Sequence, residues 1–153
     1  MTERELFNGG CRCGAIRYRA SGPPVMVEYC HCNSCRRSSG SVVSVLAGFP
    51  REGFELLNGL PTYYESTPVV KRSFCGICGS SLFYENQDYP DEVYISLGSF
   101  DLPEELPPDR HVWVTEKISW HQIGDDLSQY DQFSGTDLPE GAVPYRWPKD
   151  PGF

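Results

Sequence analysis

The cysteines are the feature that most constrains how this chain can fold. All seven fall into three tight clusters. We call them the N-terminal pair, Cys11 and Cys13, the central cluster, Cys30, Cys32 and Cys35, and the C-terminal pair, Cys75 and Cys78. An odd number of thiols cannot all form disulfides within one chain, and cysteines at this spacing are typical of metal sites. We therefore expect the clusters to bind zinc.

The spacing suggests how the sulfurs divide between sites. The C-terminal pair has C-x-x-C spacing, with Gly76 and Gly79 allowing a tight turn, and this places two sulfurs on adjacent corners of a tetrahedron. Added to the N-terminal pair, it completes four thiolates and one closed structural zinc site. The central cluster supplies three thiolates and leaves a coordination position open for chemistry. Spacing alone also permits the N-terminal pair to join the central cluster, which would leave the C-terminal pair without other cysteines to share a metal ion.

Three residues around the central cluster are candidate substrate contacts. His31 could close the site as a fourth ligand, but it lies between two cysteines, so we expect its ring to point away from the metal and to contact substrate or support the ligands. Arg36 and Arg37 could neutralise the thiolates or pair with a substrate carboxylate. Each could equally be a solvated surface charge.

Composition narrows the class of protein. The net charge of −8 and a pI near 4.8 disfavour binding to nucleic acid, because the field of the protein repels phosphate. The charged N-terminus does not resemble a signal peptide, and no apolar stretch is long enough to span a bilayer. We expect a cytoplasmic protein that forms one domain over residues 1–153, its oligomeric state left open.

The pattern of residues predicts a mainly β fold with few or no helices, because 13 prolines and 15 glycines interrupt the chain often. Short antiparallel strands are expected at 15–20, 25–29, 41–49, 54–57, 62–65, 69–74, 80–84, 93–99 and 111–119. In the strand at 93–99, Val93, Ile95 and Leu97 should face a core and Tyr94 the opposite side. A helix of a turn or two is possible at 33–39, and 101–110 should be a surface loop.

The C-terminal part of the chain is rich in aromatic residues. His111, Trp113 and Trp120 could line a ligand pocket, but we expect them in the core. His121 should be exposed. The chain after Trp120 is expected to pack along the surface through Tyr130, Phe133, Tyr145 and Trp147, with residues 134–153 forming a surface-packed tail.

Taken together, the motifs resemble the glutathione-dependent formaldehyde-activating enzyme family, which includes centromere protein V. They are G-G-C-R-C-G at 9–14, C-H-C-N-S-C-R-R at 30–37, C-G-I-C-G at 75–79, H-V-W at 111–113, K-I-S-W at 117–120 and D-L at 126–127. The resemblance covers about Gly9 to Phe133. It implies twisted β-sheets anchored by zinc in an Mss-four-like fold. It also implies two zinc ions per chain, a structural one on the N- and C-terminal pairs and a catalytic one on Cys30, Cys32 and Cys35.

The activity implied by the resemblance is that of a carbon–sulfur lyase, which forms S-hydroxymethylglutathione from formaldehyde and glutathione. Independently, three thiolates make zinc a weak Lewis acid that suits a soft thiol ligand, which also favours a thiol as the small-molecule partner. Two other interpretations stay open. The protein could be a non-catalytic binding module in which both zinc ions are structural, or a redox sensor that releases zinc when the central thiols are oxidised.

Overall fold

Short strands account for most of the regular structure in the computed structural model, which describes residues 5–132. The strands are β1 (Leu6–Gly10), β2 (Arg17–Ser21), β3 (Met26–Cys30), β4 (Ser44–Pro50), β5 (Phe54–Asn58), β6 (Thr62–Glu65), β7 (Val70–Phe74), β8 (Ser81–Asn86), β9 (Glu92–Ser96), β10 (Arg110–Val112) and β11 (Ser128–Gln129). In this part of the chain the one α-helix is α1 (Asn33–Ser39), where the sequence predicted it. The mainly β prediction is confirmed.

The strands form two sheets. A small antiparallel sheet has the order β1-β2-β5, and a larger one has the order β11-β10-β3-β4-β9-β8-β7-β6. The pairs in the larger sheet are antiparallel except at one end, where β10 runs parallel to both β3 and β11. A parallel pair needs a long connection, and the connection from β3 to β10 contains all the strands from β4 to β9. Hairpin-based reasoning from the sequence could not anticipate this direction.

Both sheets cover one hydrophobic core. Tyr18 of β2 is fully buried there, with its ring 5.2 Å from that of Phe83 in β8 and 5.5 Å from that of Phe100. Its hydroxyl forms a 2.7 Å hydrogen bond with the Ser99 hydroxyl. β1 passes close above this ring, since a Cβ on Gly9 would lie 2.2 Å from the Tyr18 oxygen. The two sheets therefore pack as one domain over the described residues.

A second, smaller cluster lies on the other face of β9. Val93 and Ile95 face the main core as predicted, and Leu97, in a 3₁₀ turn just beyond the strand, is partly buried against the same core. Tyr94 does face the opposite side, but it is buried too, in a cluster with Cys30, Cys35, Leu46, Val112 and Trp113. The central cysteines are thus part of a packed apolar layer.

Several predicted elements have different bounds. The strand expected at 111–119 ends at Val112, because Trp113 adopts a left-handed conformation with φ 57° and a 3₁₀ turn follows at Val114–Glu116. The loop at 101–110 is mostly at the surface, yet Leu106 is only 2% exposed and anchors it to the main core. Strand β1, which holds the buried Phe7, was not predicted.

The C-terminal prediction can be followed only to residue 132. Tyr130 is half-buried against the smaller cluster, and its N–H donates to the carbonyl of His111. Phe133, Tyr145, Trp147 and the tail at 134–153 lie outside the described residues. No helix in the described part of the chain is long and apolar enough to cross a membrane.

Candidate active site

The N- and C-terminal cysteine pairs meet in space. Cys11 and Cys13 lie between β1 and β2, and Cys75 and Cys78 lie between β7 and β8. Their four sulfurs are all within 4.8 Å of one another, with Cys11 Sγ 3.6 Å and Cys75 Sγ 3.8 Å from Cys13 Sγ. Tetrahedral zinc with sulfur at 2.3 Å separates neighbouring sulfurs by about 3.8 Å. The donor set and its spacing therefore fit zinc.

Backbone amides support these sulfurs. The N–H of Ile16 donates to Cys11 Sγ at 3.2 Å, and that of Cys78 to Cys75 Sγ at 3.5 Å. The turn closes with the Gly79 N–H donating to the Cys75 carbonyl, and Gly79 has φ 79°, which glycine adopts most readily. Such donors stabilise negative charge on sulfur, as a thiolate metal site requires.

The central cluster forms where β3 passes into α1. Cys30 ends β3, Cys32 is the N-cap of α1, and Cys35 lies in its first turn. The Cys35 N–H donates to Cys32 Sγ at 3.2 Å, so the same sulfur caps the helix and faces the site. All three sulfurs are within 4.8 Å of one another. One short loop and one helical turn thus assemble three potential metal ligands.

Arg72 of β7 supplies the positive charge at this cluster. Its Nη2 lies 3.6 Å from Cys35 Sγ and donates to the Ser34 hydroxyl at 3.1 Å, and its guanidinium stacks on the Tyr84 ring. Hydrogen bonds from Cys30 and Cys32, together with Arg72, hold the pKa of Cys35 well below its usual value. Hydrogen bonds with Cys32 and Cys35, together with burial, raise the pKa of Cys30. Cys35 is therefore the thiol of this cluster that ionises most readily.

His31 does not join the three sulfurs. It is 1% exposed, and its Nε2 is hydrogen-bonded to His111 Nδ1 at 2.9 Å. His111 in turn contacts the Asp125 carboxylate, with Nε2 3.0 and 3.1 Å from its two oxygens. Burial, and then electrostatic repulsion between His31 and His111, lowers the pKa of His31 to about 4, so this ring is neutral near pH 7. Whether His31 touches a substrate stays a prediction.

A cleft of about 340 Å³ adjoins the central cluster. Its lining combines one face of α1 with the strands β7 and β8, the turn after β7 and the segment around Tyr64, and it contains Ser34, Arg37, Ser38, Tyr64, Ser66, Arg72, Ser73, Phe74, Gly79 and Ser81. Two of these residues are arginines and none is acidic, so the cleft suits an anionic group. Arg37 is exposed along this cleft, whereas the half-buried Arg36 is not among its lining residues.

Some supporting residues were not selected from the sequence. Arg72 was not predicted as a site residue, because nothing in its spacing ties it to Cys35. Glu116 accepts a 2.7 Å hydrogen bond from the N–H of Asn33, the first residue of α1, across 83 positions. Contacts between residues so far apart in sequence depend on the tertiary fold, and no periodic pattern in the sequence indicates them.

The predictions for the aromatic residues after β9 had mixed outcomes. His111 and Trp113 are buried, at 3% and 7% exposed, as expected for the core. Trp120 is 67% exposed, so its assignment to the core was wrong. His121 is half-buried rather than exposed, since its ring packs 5.9 Å from that of His31. Both residues lie after the end of β10 in irregular chain, where the alternation of a strand no longer predicts burial.

Comparison with known proteins gives a consistent result. A provisionally named glutathione-dependent formaldehyde-activating enzyme of Halomonas elongata is 27% identical over 127 residues, covering 77% of this chain and 81% of the relative. An uncharacterised lyase of Schizosaccharomyces pombe is 22% identical over 124 residues, covering 81% of this chain and 90% of the relative. A crystal structure of a Rhodobacter sphaeroides protein shares the fold, with a TM-score of 0.53 and 17% identity, covering 80% of this chain and 98% of that one.

The family comparison agrees with the resemblance seen in the cysteine motifs. The family model described as glutathione-dependent formaldehyde-activating enzyme matches residues 6–116. That range includes all seven cysteines, the helix α1 and strands β1 to β10. Because the match spans well over half of the chain, the protein belongs to the glutathione-dependent formaldehyde-activating enzyme family.

Proposed function

We propose that this protein is a zinc-dependent carbon–sulfur lyase that acts on an adduct of glutathione or a related thiol. Formation of S-hydroxymethylglutathione from glutathione and formaldehyde is the reaction we favour. Family membership and the lyase name of one relative support an enzyme of this kind. The observation that carries the proposal is the group of three sulfurs, all within 4.8 Å, beside a cleft with two arginines and no acidic side chain.

We assign two zinc ions to each chain. Cys11, Cys13, Cys75 and Cys78 would hold the structural ion, and Cys30, Cys32 and Cys35 the catalytic one. At the three-thiolate site, zinc supplies an open coordination position and favours the deprotonated form of a bound thiol. A cytoplasmic location would provide the reduced thiol and keep the cysteines themselves reduced.

The protein's own side chains then bind and orient the substrate. Arg37, exposed along the cleft, would pair with a carboxylate of the thiol substrate, with Arg36 and His31 as further candidate contacts. Arg72 would offset negative charge at Cys35. In the reaction, the substrate sulfur forms a bond to the aldehyde carbon while the carbonyl π electrons move to oxygen. The proton released by the thiol is taken up by that oxygen, so no oxidant or reductant is needed.

A non-catalytic binding module is the second candidate, and one observation favours it. Strand β6 is the edge of the larger sheet, and all four of its residues are exposed, including Tyr63 at 50% and Tyr64 at 61%. Leu60, just before it, is 83% exposed. An edge of this kind can accept a partner strand. In that case both zinc ions would be structural.

Metal content and coordination distinguish the two candidates. We would measure zinc by elemental analysis in the wild type and in the triple variant Cys30→Ser, Cys32→Ser, Cys35→Ser, and then record zinc X-ray absorption with and without glutathione. The lyase proposal expects about two zinc ions in the wild type and one fewer in a variant that stays folded. Glutathione should raise the average number of sulfur ligands.

S-methylglutathione is the matched control, because it keeps the carboxylates and lacks the free thiol. It should leave the zinc spectrum unchanged. Absence of any change with glutathione, or unfolding of the triple variant, would show that the central cluster is structural and would favour the binding module.

A further inference from the structure

Three hydrogen-bonded side chains, Asp125, His111 and His31, lead from the surface to the segment that carries the central cysteines. The exposed Asp125 accepts a hydrogen bond from His111 Nε2, and His111 Nδ1 is 2.9 Å from Nε2 of His31. His31 lies between Cys30 and Cys32. Hydrogen bonds therefore connect the Asp125 carboxylate, which lies outside the cysteine motifs, through His111 to the residue between Cys30 and Cys32.

The backbone brings these residues into line. In the parallel pairing of β10 with β3, His111 is opposite Tyr29 and Val112 is opposite Cys30. The N–H of His31 donates to the Val112 carbonyl at 3.0 Å, which extends the ladder one step beyond β3. The unexpected parallel direction of β10 is thus what places the His111 ring against that of His31.

The hydrogen-bond partners determine which nitrogens carry protons. A carboxylate can only accept, so Nε2 of His111 must be the protonated nitrogen that faces Asp125. In a neutral ring, Nδ1 of His111 is then an acceptor, and Nε2 of His31 must donate to it. Nδ1 of His31 is left without a proton. It is buried, and no hydrogen-bond partner for it lies among the described residues.

Packing prevents the rings from turning to another arrangement. The His111 ring is stacked between two others, 4.6 Å from Tyr29 at 12° and 5.1 Å from His31 at 24°. His111 is 3% exposed and His31 is 1% exposed. A ring flip of either histidine would break the hydrogen bond between the two buried rings.

We propose that Asp125 and His111 are positioning residues of the three-thiolate site, which hold the ring of His31 in its Nε2–H tautomer and thereby fix the segment carrying Cys30 and Cys32. This deepens the proposed function and rests on it only in taking the central cluster as the reactive zinc site. Neither residue touches the sulfurs. Their effect reaches the site through the orientation of His31, as outer partners orient a metal site.

Long-range ¹H–¹⁵N correlation spectra of the zinc-loaded full chain test the tautomers directly, since the chain contains only three histidines. The wild type should show the proton on Nε2 of both His31 and His111. In Asp125→Asn, the amide oxygen can keep the bond from the Leu127 N–H that Asp125 Oδ1 accepts at 3.0 Å. The amide nitrogen then replaces Oδ2, 3.0 Å from His111 Nε2, where two N–H groups would repel each other unless Nε2 loses its proton and accepts. Both histidines should then change to the Nδ1–H tautomer.

Control variants separate this effect from general damage to the loop. Asp126→Asn, at the exposed neighbour, should leave both tautomers unchanged, and Asp125→Glu should keep the wild-type tautomers because a carboxylate still faces His111. Transfer of zinc from the three-thiolate site to a chromogenic chelator should be about tenfold faster in Asp125→Asn and unchanged in Asp126→Asn.

Three results would overturn the inference. They are a proton on Nδ1 of His31 in the wild type, an unchanged His31 tautomer in Asp125→Asn, or an unchanged rate of zinc transfer in that variant. If Asp125→Asn fails to fold, the wild-type spectrum still decides the tautomer. None of these measurements contains glutathione, so a failure here is distinct from a failure of the proposed lyase activity.

Discussion

The guanidinium of Arg72 and the sulfur of Cys35 lie against each other, with Nη2 and Sγ 3.6 Å apart, although the residues are separated by 37 positions. The contact joins β7 to the helix α1, which contains Cys35 and is capped by Cys32. Three thiolates on a divalent ion leave a net negative charge of about one in a largely buried layer. Arg72 is placed to offset that charge, and its guanidinium is held there by Ser34 and the Tyr84 ring.

Replacement of Arg72 should therefore weaken zinc binding at the central cluster. We expect Arg72→Met to lower the affinity of this site by about tenfold, since loss of the cation leaves the thiolates uncompensated. Competition with a zinc chelator at fixed pH measures the effect. Zinc at the four-cysteine site should be retained.

Lys71→Met is the matched control for this experiment. Lys71 is the preceding residue of β7, carries the same charge, and lies over the Tyr63 ring on the exposed side of the strand. Its replacement should leave zinc affinity unchanged. Equal losses in the two variants would show that net charge, and not the contact with Cys35, is responsible.

Arg36 and Arg37 form a natural pair for testing substrate binding. The structure places only Arg37 along the cleft, so we expect Arg37→Met to raise KM for glutathione about tenfold with little change in kcat. Arg36→Met should have a smaller effect. Steady-state kinetics at saturating formaldehyde give both constants, and an equal rise in the two variants would argue against the cleft as the site of the substrate carboxylate.

The four-cysteine group should be important for stability. Cys13 and Cys75 are 62 residues apart, and a cross-link that closes a loop of this length stabilises a fold by about 4 kcal/mol. We expect Cys13→Ser or Cys75→Ser to lower Tm by about 10 °C and to reduce zinc content by one ion per chain. Differential scanning calorimetry with elemental analysis measures both. Full stability after loss of the metal would contradict a structural role.

An ion pair also connects the two sheets, and its contribution can be isolated. Arg17 of β2 binds Asp101 after β9 in a two-pronged contact, with nitrogen–oxygen distances of 2.9 and 2.5 Å. Because both side chains are partly exposed, we expect a coupling energy of about 0.5 kcal/mol that falls in 1 M salt. A double-mutant cycle with Arg17→Met and Asp101→Asn, followed by urea unfolding at pH 7, measures it. A coupling that does not depend on salt would exclude a mainly electrostatic contact.

The sequence predicted those parts of the fold that depend on local patterns. Alternation along β9 located Val93 and Ile95 in the main core, and turn residues marked most strand ends within a few positions. The helix at Asn33–Ser39 was predicted at its observed bounds. Such features follow from the periodicity and capping of short segments. The parallel direction of β10 depends on a long connection, and local patterns do not specify it.

The candidate site also combines features that local sequence patterns predict with features that depend on the tertiary fold. The four-cysteine and three-cysteine groups were separated correctly, because spacing and the number of sulfurs restrict how thiols can share metal ions. The contacts of Arg72, His111 and Asp125 were not predicted. Each reaches the central cluster or His31 from another strand or loop, at separations of 37 residues or more for Arg72 and of 80 for His111. No spacing rule relates residues that meet only after the sheet has formed.

The cleft beside the central cluster is bounded by residues from both cysteine groups' surroundings: Ser34 and Arg72 adjoin Cys35, while Phe74 and Gly79 adjoin Cys75 and Cys78. The side of the cleft that would receive a substrate is therefore shaped by the turn from Cys75 to Gly79, which carries two cysteines of the four-cysteine group. During biosynthesis the four-cysteine group can form only after Cys75 and Cys78 have been synthesised. Under the proposed assignment, loss of the structural zinc ion would therefore disturb this side of the cleft as well as lower the stability of the fold.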